Sequence, residues 1–223
     1  MLTKDLILQG SFAGQTYSAR LRMTINGERC FFTQSDLAET TMKKIIVPLA
    51  QGLEEIETIT GIDVLRRADI EVTTVSLGDV KVKGAHDVVI LADKTIDEIN
   101  VDEFDGILLP GGMPGSANLR DDERIINMVK SLNKKGKLVS AICAAPIVLE
   151  KAGVLKGKKA TSYPGFDEEM PSCNYTDERV VVDGNIITGK GPGAALEFAF
   201  EVVNYLAGEE MINKLKGEMF TDF

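Results

Sequence analysis

Apolar and polar positions follow two different rhythms along this chain, and the change between them falls at Met42. Before it, the segment YSARLRMTINGERCFF alternates apolar and polar residues on either side of Asn26-Gly27. That pair tolerates positive φ at both turn positions and is the strongest short hairpin signal. Residues 1–41 are therefore expected to form a small β-hairpin appendage. A lone hairpin is marginal in water, so packing on the rest of the chain, packing on another copy and partial disorder all stay open. Met42-Lys43-Lys44 ahead of an apolar run also reads as a natural start, which would make residues 1–41 a leader from an extended or alternative start.

From 42 to 223 short apolar runs alternate with longer segments of helical period, the pattern of parallel βαβ units. KKIIVPLA (43–50), EVTTVSLG (71–78), DGILLPGG (105–112) and KLVSAIC (137–143) read as strands, and VKVKGAHDVVILAD (80–93) as a β excursion. GLEEIETITGIDVLRRAD (52–69) predicts a helix with Leu53, Ile56, Ile59, Val64, Leu65 and Ala68 near one face. Further helices are predicted over 116–136, 144–155, 194–208 and 209–217, with ATSY (160–163) and the Asp183-Gly184 hairpin RVVVDGNIIT adding strands. The result is one main doubly wound α/β domain. Ligands in such open sheets sit beyond the carboxyl ends of the strands, so the residues just after strands carry the functional interest.

Three strand ends stand out. Cys143 in AICAAP lies between a strand and a helix start, where the helix dipole and free N–H groups favour thiolate over thiol. Small Ala141, Ala144 and Ala145 permit a tight turn like the elbow that lifts a nucleophile above a sheet. A buried, inert cysteine suits the same position. The adjacent glycines of LPGG (109–112) can aim N–H groups at an oxyanion or form an ordinary loop. Glu54, Glu55 and Glu57 open the first predicted helix, where acidic residues serve as dipole partners. Glu57 could instead point across the crevice, and burial there would raise its pKa and fit it for acid–base work.

Composition narrows the function classes. With 223 residues and 44% hydrophobic content the chain can bury one substantial core. A formal net charge of −9 without a basic block offers no electrostatic footprint for nucleic acid or an anionic bilayer. No apolar run approaches the length needed to span about 30 Å of hydrocarbon. The start MLTKDLILQG has an Asp within its apolar patch and lacks a small-residue cleavage site, so a cytoplasmic location is expected. Three widely spaced cysteines, Cys30, Cys143 and Cys173, argue against a disulfide framework or a thiolate zinc cluster. A single histidine, His86, argues against a His-based metal site. No metal or cofactor is expected.

In order along residues 42 to about 217, LAQGLEEIETI, DVLRRADI, DVVILAD, LPGGMPGSANL, AICAAP and GKGPGAALEFA resemble the motifs of the ThiJ/PfpI superfamily. The resemblance is to the branch of the Parkinson-disease-associated deglycase and its bacterial relatives. It implies a flavodoxin-like three-layer sandwich with a mostly parallel sheet, usually assembled as a homodimer. It implies Cys143 as nucleophile, Glu57 as the carboxyl that contacts it, and backbone N–H groups of Gly111, Gly112 and Ala144 around the substrate oxygen. Arg67, His86, Tyr163, Lys190, Gly191 and Pro192 match pocket-border positions. Members with a protease-like Cys-His pair have a histidine where this chain has Tyr163. Without an imidazole, Cys143 is poorly equipped to protonate a leaving amine, so a protease or amidase is the weakest reading. The leading expectation is a cofactor-independent cysteine glyoxalase or deglycase taking methylglyoxal-type aldehydes or their early adducts on amines. The alternative is a redox-sensing, stress-protective chaperone acting through oxidation of Cys143.

Overall fold

The structure is a computed structural model and describes residues 3–9, 18–25, 28–32 and 42–221. The chain divides into two compact units, Met1–Thr41 and Met42–Phe223. In the first, β1 (Thr3–Gln9), β2 (Ser18–Ile25) and β3 (Glu28–Phe32) form an antiparallel sheet in that order. Ile25 pairs with Glu28 in β3, and the Asn26-Gly27 turn lies outside the described residues. The expected hairpin is thus two strands of a three-stranded meander, β1 pairing antiparallel along β2.

The second unit runs β4 (Lys44–Leu49), α1 (Glu55–Arg67), β5 (Glu71–Ser76), β6 (Lys81–Lys83), β7 (Val89–Leu91), β8 (Lys94–Thr95), β9 (Gly106–Leu109), α2 (Gly115–Asp121), α3 (Glu123–Lys134) and β10 (Leu138–Ile142). It continues with α4 (Pro146–Lys151), β11 (Lys159–Ala160), β12 (Asn174–Tyr175), β13 (Val180–Asp183), β14 (Ile186–Gly189), α5 (Ala195–Ala207) and α6 (Glu209–Met219). Seven strands form the main sheet in the order β13-β14-β10-β9-β4-β5-β8, parallel except for β13.

Period-two alternation sends side chains of β4 to opposite faces. Ile45, Val47 and Leu49 join a core with Ile62 and Leu65 of α1, Phe198 and Val202 of α5 and Leu215 of α6. Ile46 joins Ile107, Leu109 and Val139 in a second core under Leu119 of α2, Ile126 and Val129 of α3 and Val148 of α4. These two cores make the three-layer α/β sandwich that the sequence pattern and the resemblance predict. The chain leaves β4 toward β5 on one side and returns to β9 on the other. The gap between β4 and β9 is therefore the topological switch point, where the loops after the strands part and leave a crevice.

Three local expectations change. The helix predicted over 116–136 is two helices, because Asp122 is extended (φ −90°, ψ 109°) and accepts from Arg124 N at 2.9 Å as the N-cap of α3. In ATSY only Ala160 belongs to a strand, β11, which pairs with β12 rather than joining the main sheet. Ile56 and Ile59, expected on the core face of α1, are 58% and 48% exposed, while Glu55, Glu57 and Thr58 point inward.

Candidate active site

The turn after β10 holds Cys143 at φ 64°, a left-handed conformation uncommon outside glycine that marks strain where neighbours over-determine it. Those neighbours are the adjoining strand ends. Cys143 N donates to Gly189 O at 2.8 Å, and Cys143 O accepts from Tyr163 N at 2.9 Å. The cysteine is buried, with 8% of its surface exposed.

Glu57 comes from the other side of the crevice. Glu54, the N-cap of α1, accepts from Glu57 N through Oε2 at 2.7 Å, which fixes the first turn so that Glu57 points inward. Glu57 is 2% exposed, and its carboxyl accepts from Gly111 N through Oε2 at 2.8 Å. Gly111 is the hinge of this arrangement. A Cβ there would lie 2.5 Å from Glu57 Oε2 and 2.6 Å from Cys143 Cβ, so only glycine lets the two side chains face each other. Gly112 has φ 89°, and a Cβ there would strike Glu54 N at 2.3 Å.

Electrostatics tie the two together. Burial pushes Glu57 up to about 7; the nearby Glu54 charge adds to the rise, and donation from the Cys143 side chain and the Gly111 N–H opposes it. Its Oε1 is buried and accepts no hydrogen bond, and the carboxyl and the Cys143 thiol lie near enough for each to shift the titration of the other. Cys143 is pushed up to about 12, by burial first and then by the charge and hydrogen bond of Glu57, against the N–H groups of Gly112 and Ala144. This corrects the expectation of a thiolate favoured by the helix start. With only six residues, α4 offers a small dipole, and burial beside a carboxylate outweighs it. Both shifts favour the neutral forms, so the thiol keeps its proton at neutral pH while the carboxyl passes between its protonated and ionised forms near 7.

The other candidates separate into two groups. Tyr163, Lys190, Gly191 and Pro192 come together with Pro164, Arg179, Gly193 and Ala194 around an open cavity of about 290 Å³. It adjoins the cysteine turn through the Tyr163 N–Cys143 O and Cys143 N–Gly189 O bonds. Arg67 and His86 do not join it. Arg67 lies at the far end of α1, ten residues or about 15 Å along the axis from Glu57, and donates to Asp63 Oδ2 at 2.7 Å. Within one chain it does not border the site. Exposed His86 binds Glu55, its N donating to Oε1 at 2.7 Å and its Nδ1 lying 2.8 Å from Oε2. Gly111 also departs from its implied role, since its N–H is committed to Glu57 and leaves Gly112 and Ala144 as the donors beside sulfur.

Sequence reasoning missed Arg179 and the anchoring Gly189 carbonyl. Arg179 precedes a strand like any surface cation, and a backbone acceptor has no sequence signature. Among the described residues Glu54, Glu55 and His86 place their possible ligand atoms within 4.8 Å of one another. Each carboxylate there is already engaged, Glu54 by the Glu57 N–H and Glu55 by His86.

A strained cysteine after a central strand, faced by a buried glutamate across a glycine at the switch point, is the arrangement the sequence motifs suggested, and comparison with known proteins places it. The model of the DJ-1/PfpI family matches residues 43–205, and the chain belongs to that family. Protein dj-1beta of Drosophila melanogaster is 43% identical over 176 residues, covering 78% of this chain and 94% of that protein. Its crystal structure superposes with a TM-score of 0.79 at 41% identity, over 82% of this chain and all of that one. The oxidized form of Toxoplasma gondii DJ-1 superposes with a TM-score of 0.78 at 38% identity, over 81% of this chain and all of that one.

Proposed function

We propose that this protein is a cysteine-dependent, cofactor-independent glyoxalase or deglycase that converts methylglyoxal-type 2-oxoaldehydes, or their early adducts on amines, to 2-hydroxy acids. The observation that carries this reading is the buried Glu57 carboxyl, with its pKa raised to about 7, facing Cys143 across Gly111. A group that titrates at neutrality can both take and return a proton during one turnover.

The thiol is neutral at rest, so attack needs a base. Glu57 as carboxylate takes the thiol proton while sulfur adds to the aldehyde carbon, giving a hemithioacetal. The N–H groups of Gly112 and Ala144 are the donors available to its oxygen. Removal of the proton from the former aldehyde carbon gives an enediol, and return of a proton to the neighbouring carbon gives the thioester of a 2-hydroxy acid. Water releases the acid and regenerates the thiol, so the sum is methylglyoxal plus water to lactate. Cys143→Ser should lower lactate production from methylglyoxal at least 100-fold, the low end for losing a covalent or acid–base group. Full retention of lactate formation by this variant would remove the reading.

Oxidation of Cys143 is the second reading, favoured by Glu57 Oε1, a buried oxygen without an aligned partner. When protonated it can donate to an oxygen added to sulfur, which stabilises a sulfinate. The Toxoplasma relative was solved in an oxidized form. Intact-mass measurement after mild peroxide should show a two-oxygen adduct that maps to Cys143 ahead of Cys30 and Cys173; oxidation spread evenly over the three would count against it.

We further propose that the chain works as a homodimer, with the outward-facing Ile56 and Ile59 of α1 in the seam. Exposed neighbouring isoleucines one helical turn apart are the kind of apolar surface that a second copy covers. Among the described residues no helix is long and apolar enough to cross a membrane.

A further inference from the structure

The cavity beside the cysteine turn has a wall that the chemistry above does not use. Tyr163 is 48% exposed, although its N–H is fixed to the Cys143 carbonyl. One edge of its ring lies beside Gly191, where an added Cβ would come within 3.2 Å of Tyr163 Cδ2 and 3.8 Å of Cε2. Pro164, Pro192 and Ala194 supply the rest of an apolar lining. At about 290 Å³ the space sits near the lower end of the roughly 300–1,000 Å³ range of small-molecule sites, enough for a single ring or a branched alkyl group.

Charge argues in the same direction. The two cations at this cavity, Arg179 and Lys190, are each compensated within the chain. Arg179 donates to Glu197 Oε2 at 2.7 Å and to Gly193 O at 2.6 Å, and Lys190 binds Asp177 at 2.5 Å. An anionic substrate would compete with two carboxylates already in place, whereas a neutral apolar group meets a half-exposed aromatic ring and two proline rings.

We infer that Tyr163 is a specificity-determining residue whose ring forms a shelf for the substituent of the 2-oxoaldehyde, so that this protein prefers neutral substrates with an aryl or branched alkyl group over methylglyoxal. The inference rests on the glyoxalase reading and names its substrate class. The chemistry is unchanged in balance. Phenylglyoxal plus water gives mandelate, the aldehyde carbon being oxidised to carboxylate and the ketone carbon reduced to carbinol, with no outside oxidant.

The test is the ratio of kcat/KM for phenylglyoxal to that for methylglyoxal, followed as mandelate and lactate. Wild type should favour phenylglyoxal. Tyr163→Ala should lower the ratio about tenfold, in line with the 10–200-fold discrimination available to a hydrophobic pocket, and Tyr163→Phe should preserve it because the ring remains. A folding defect would lower both rates and leave the ratio alone, so an unchanged ratio in Tyr163→Ala overturns the inference. If wild type turns over neither aldehyde, the glyoxalase reading fails by itself, and acetophenone decides the shelf, since it carries the aryl ketone but lacks the aldehyde. Movement of the Tyr163 ring resonances on acetophenone titration, with weaker binding by Tyr163→Ala, supports the shelf; no movement overturns it.

Discussion

At the scale of single residues, the proton affinity of Glu57 makes a claim about stability as well as catalysis. A carboxyl raised from 4.5 to about 7 on folding binds its proton more tightly in the native chain than in the unfolded one between those values. Its contribution to stability is fully present below pH 4.5 and lost as pH rises through 7, a change of about 3 kcal/mol for 2.5 units. Glu57→Gln keeps an acceptor for the Gly111 N–H and removes the charge. Its melting temperature should therefore exceed that of wild type by several degrees at pH 8 and converge with it near pH 4.5. Parallel melting profiles across this range would show that burying the carboxylate costs the fold nothing. Sequence shows Cys143 and Glu57 as residue types at informative positions, because strand ends and helix starts are local patterns. It does not show which way the thiol titrates. That depends on burial and on a carboxyl 86 positions away along the chain, both products of tertiary structure, and the local helix-start argument points in the opposite direction.

At the scale of elements, strands were more legible than helices. Apolar runs such as Ile45–Leu49 and Gly106–Leu109 are buried on both faces, so hydropathy alone outlines them. The first turns of α1 defeat the same logic because inward positions there carry Glu55 and Glu57, and outward ones carry Ile56 and Ile59. Local pattern and tertiary role conflict where a helix serves a site rather than a core. The split between α2 and α3 had a readable signal in Asp122, a good N-cap residue followed by Glu123. Asp122 also binds the Arg124 guanidinium, with Oδ1 at 3.0 Å from Nε and Oδ2 at 2.6 Å from Nη2, and this holds its own carboxyl below the usual range. Asp122→Ala should destabilise the main unit by about 1–2 kcal/mol, the upper part of the range for a lost cap. In urea this appears as a lower midpoint with unchanged slope; an unchanged midpoint would mean that α3 holds its start without the cap.

At the scale of the whole molecule, the inverted face of α1 leads to a prediction about assembly. Ile56 and Ile59 resemble core residues in sequence because a position that a second chain would cover and one buried by its own fold present the same apolar side chain. The outward stripe continues as Asp63 and Arg67, apolar at one end and ion-paired at the other. In a two-fold pairing the same stripe must meet itself. Two α1 helices packed antiparallel would bring the partner's Arg67 toward the end of α1 that carries Glu57. Arg67, remote from the site in one chain, would then stand at the pocket border that the family resemblance implies for it. Light scattering on the eluting wild-type peak should give twice the 24.2 kDa chain mass, and the double variant Ile56→Glu, Ile59→Glu should give the single-chain mass. Because the site would lose its second-copy border, this variant should also lose activity toward methylglyoxal while keeping the wild-type circular dichroism spectrum. A wild-type peak at the single-chain mass would end the dimer proposal; a double variant that stays dimeric would move the seam away from α1 and leave Arg67 without a route to the site.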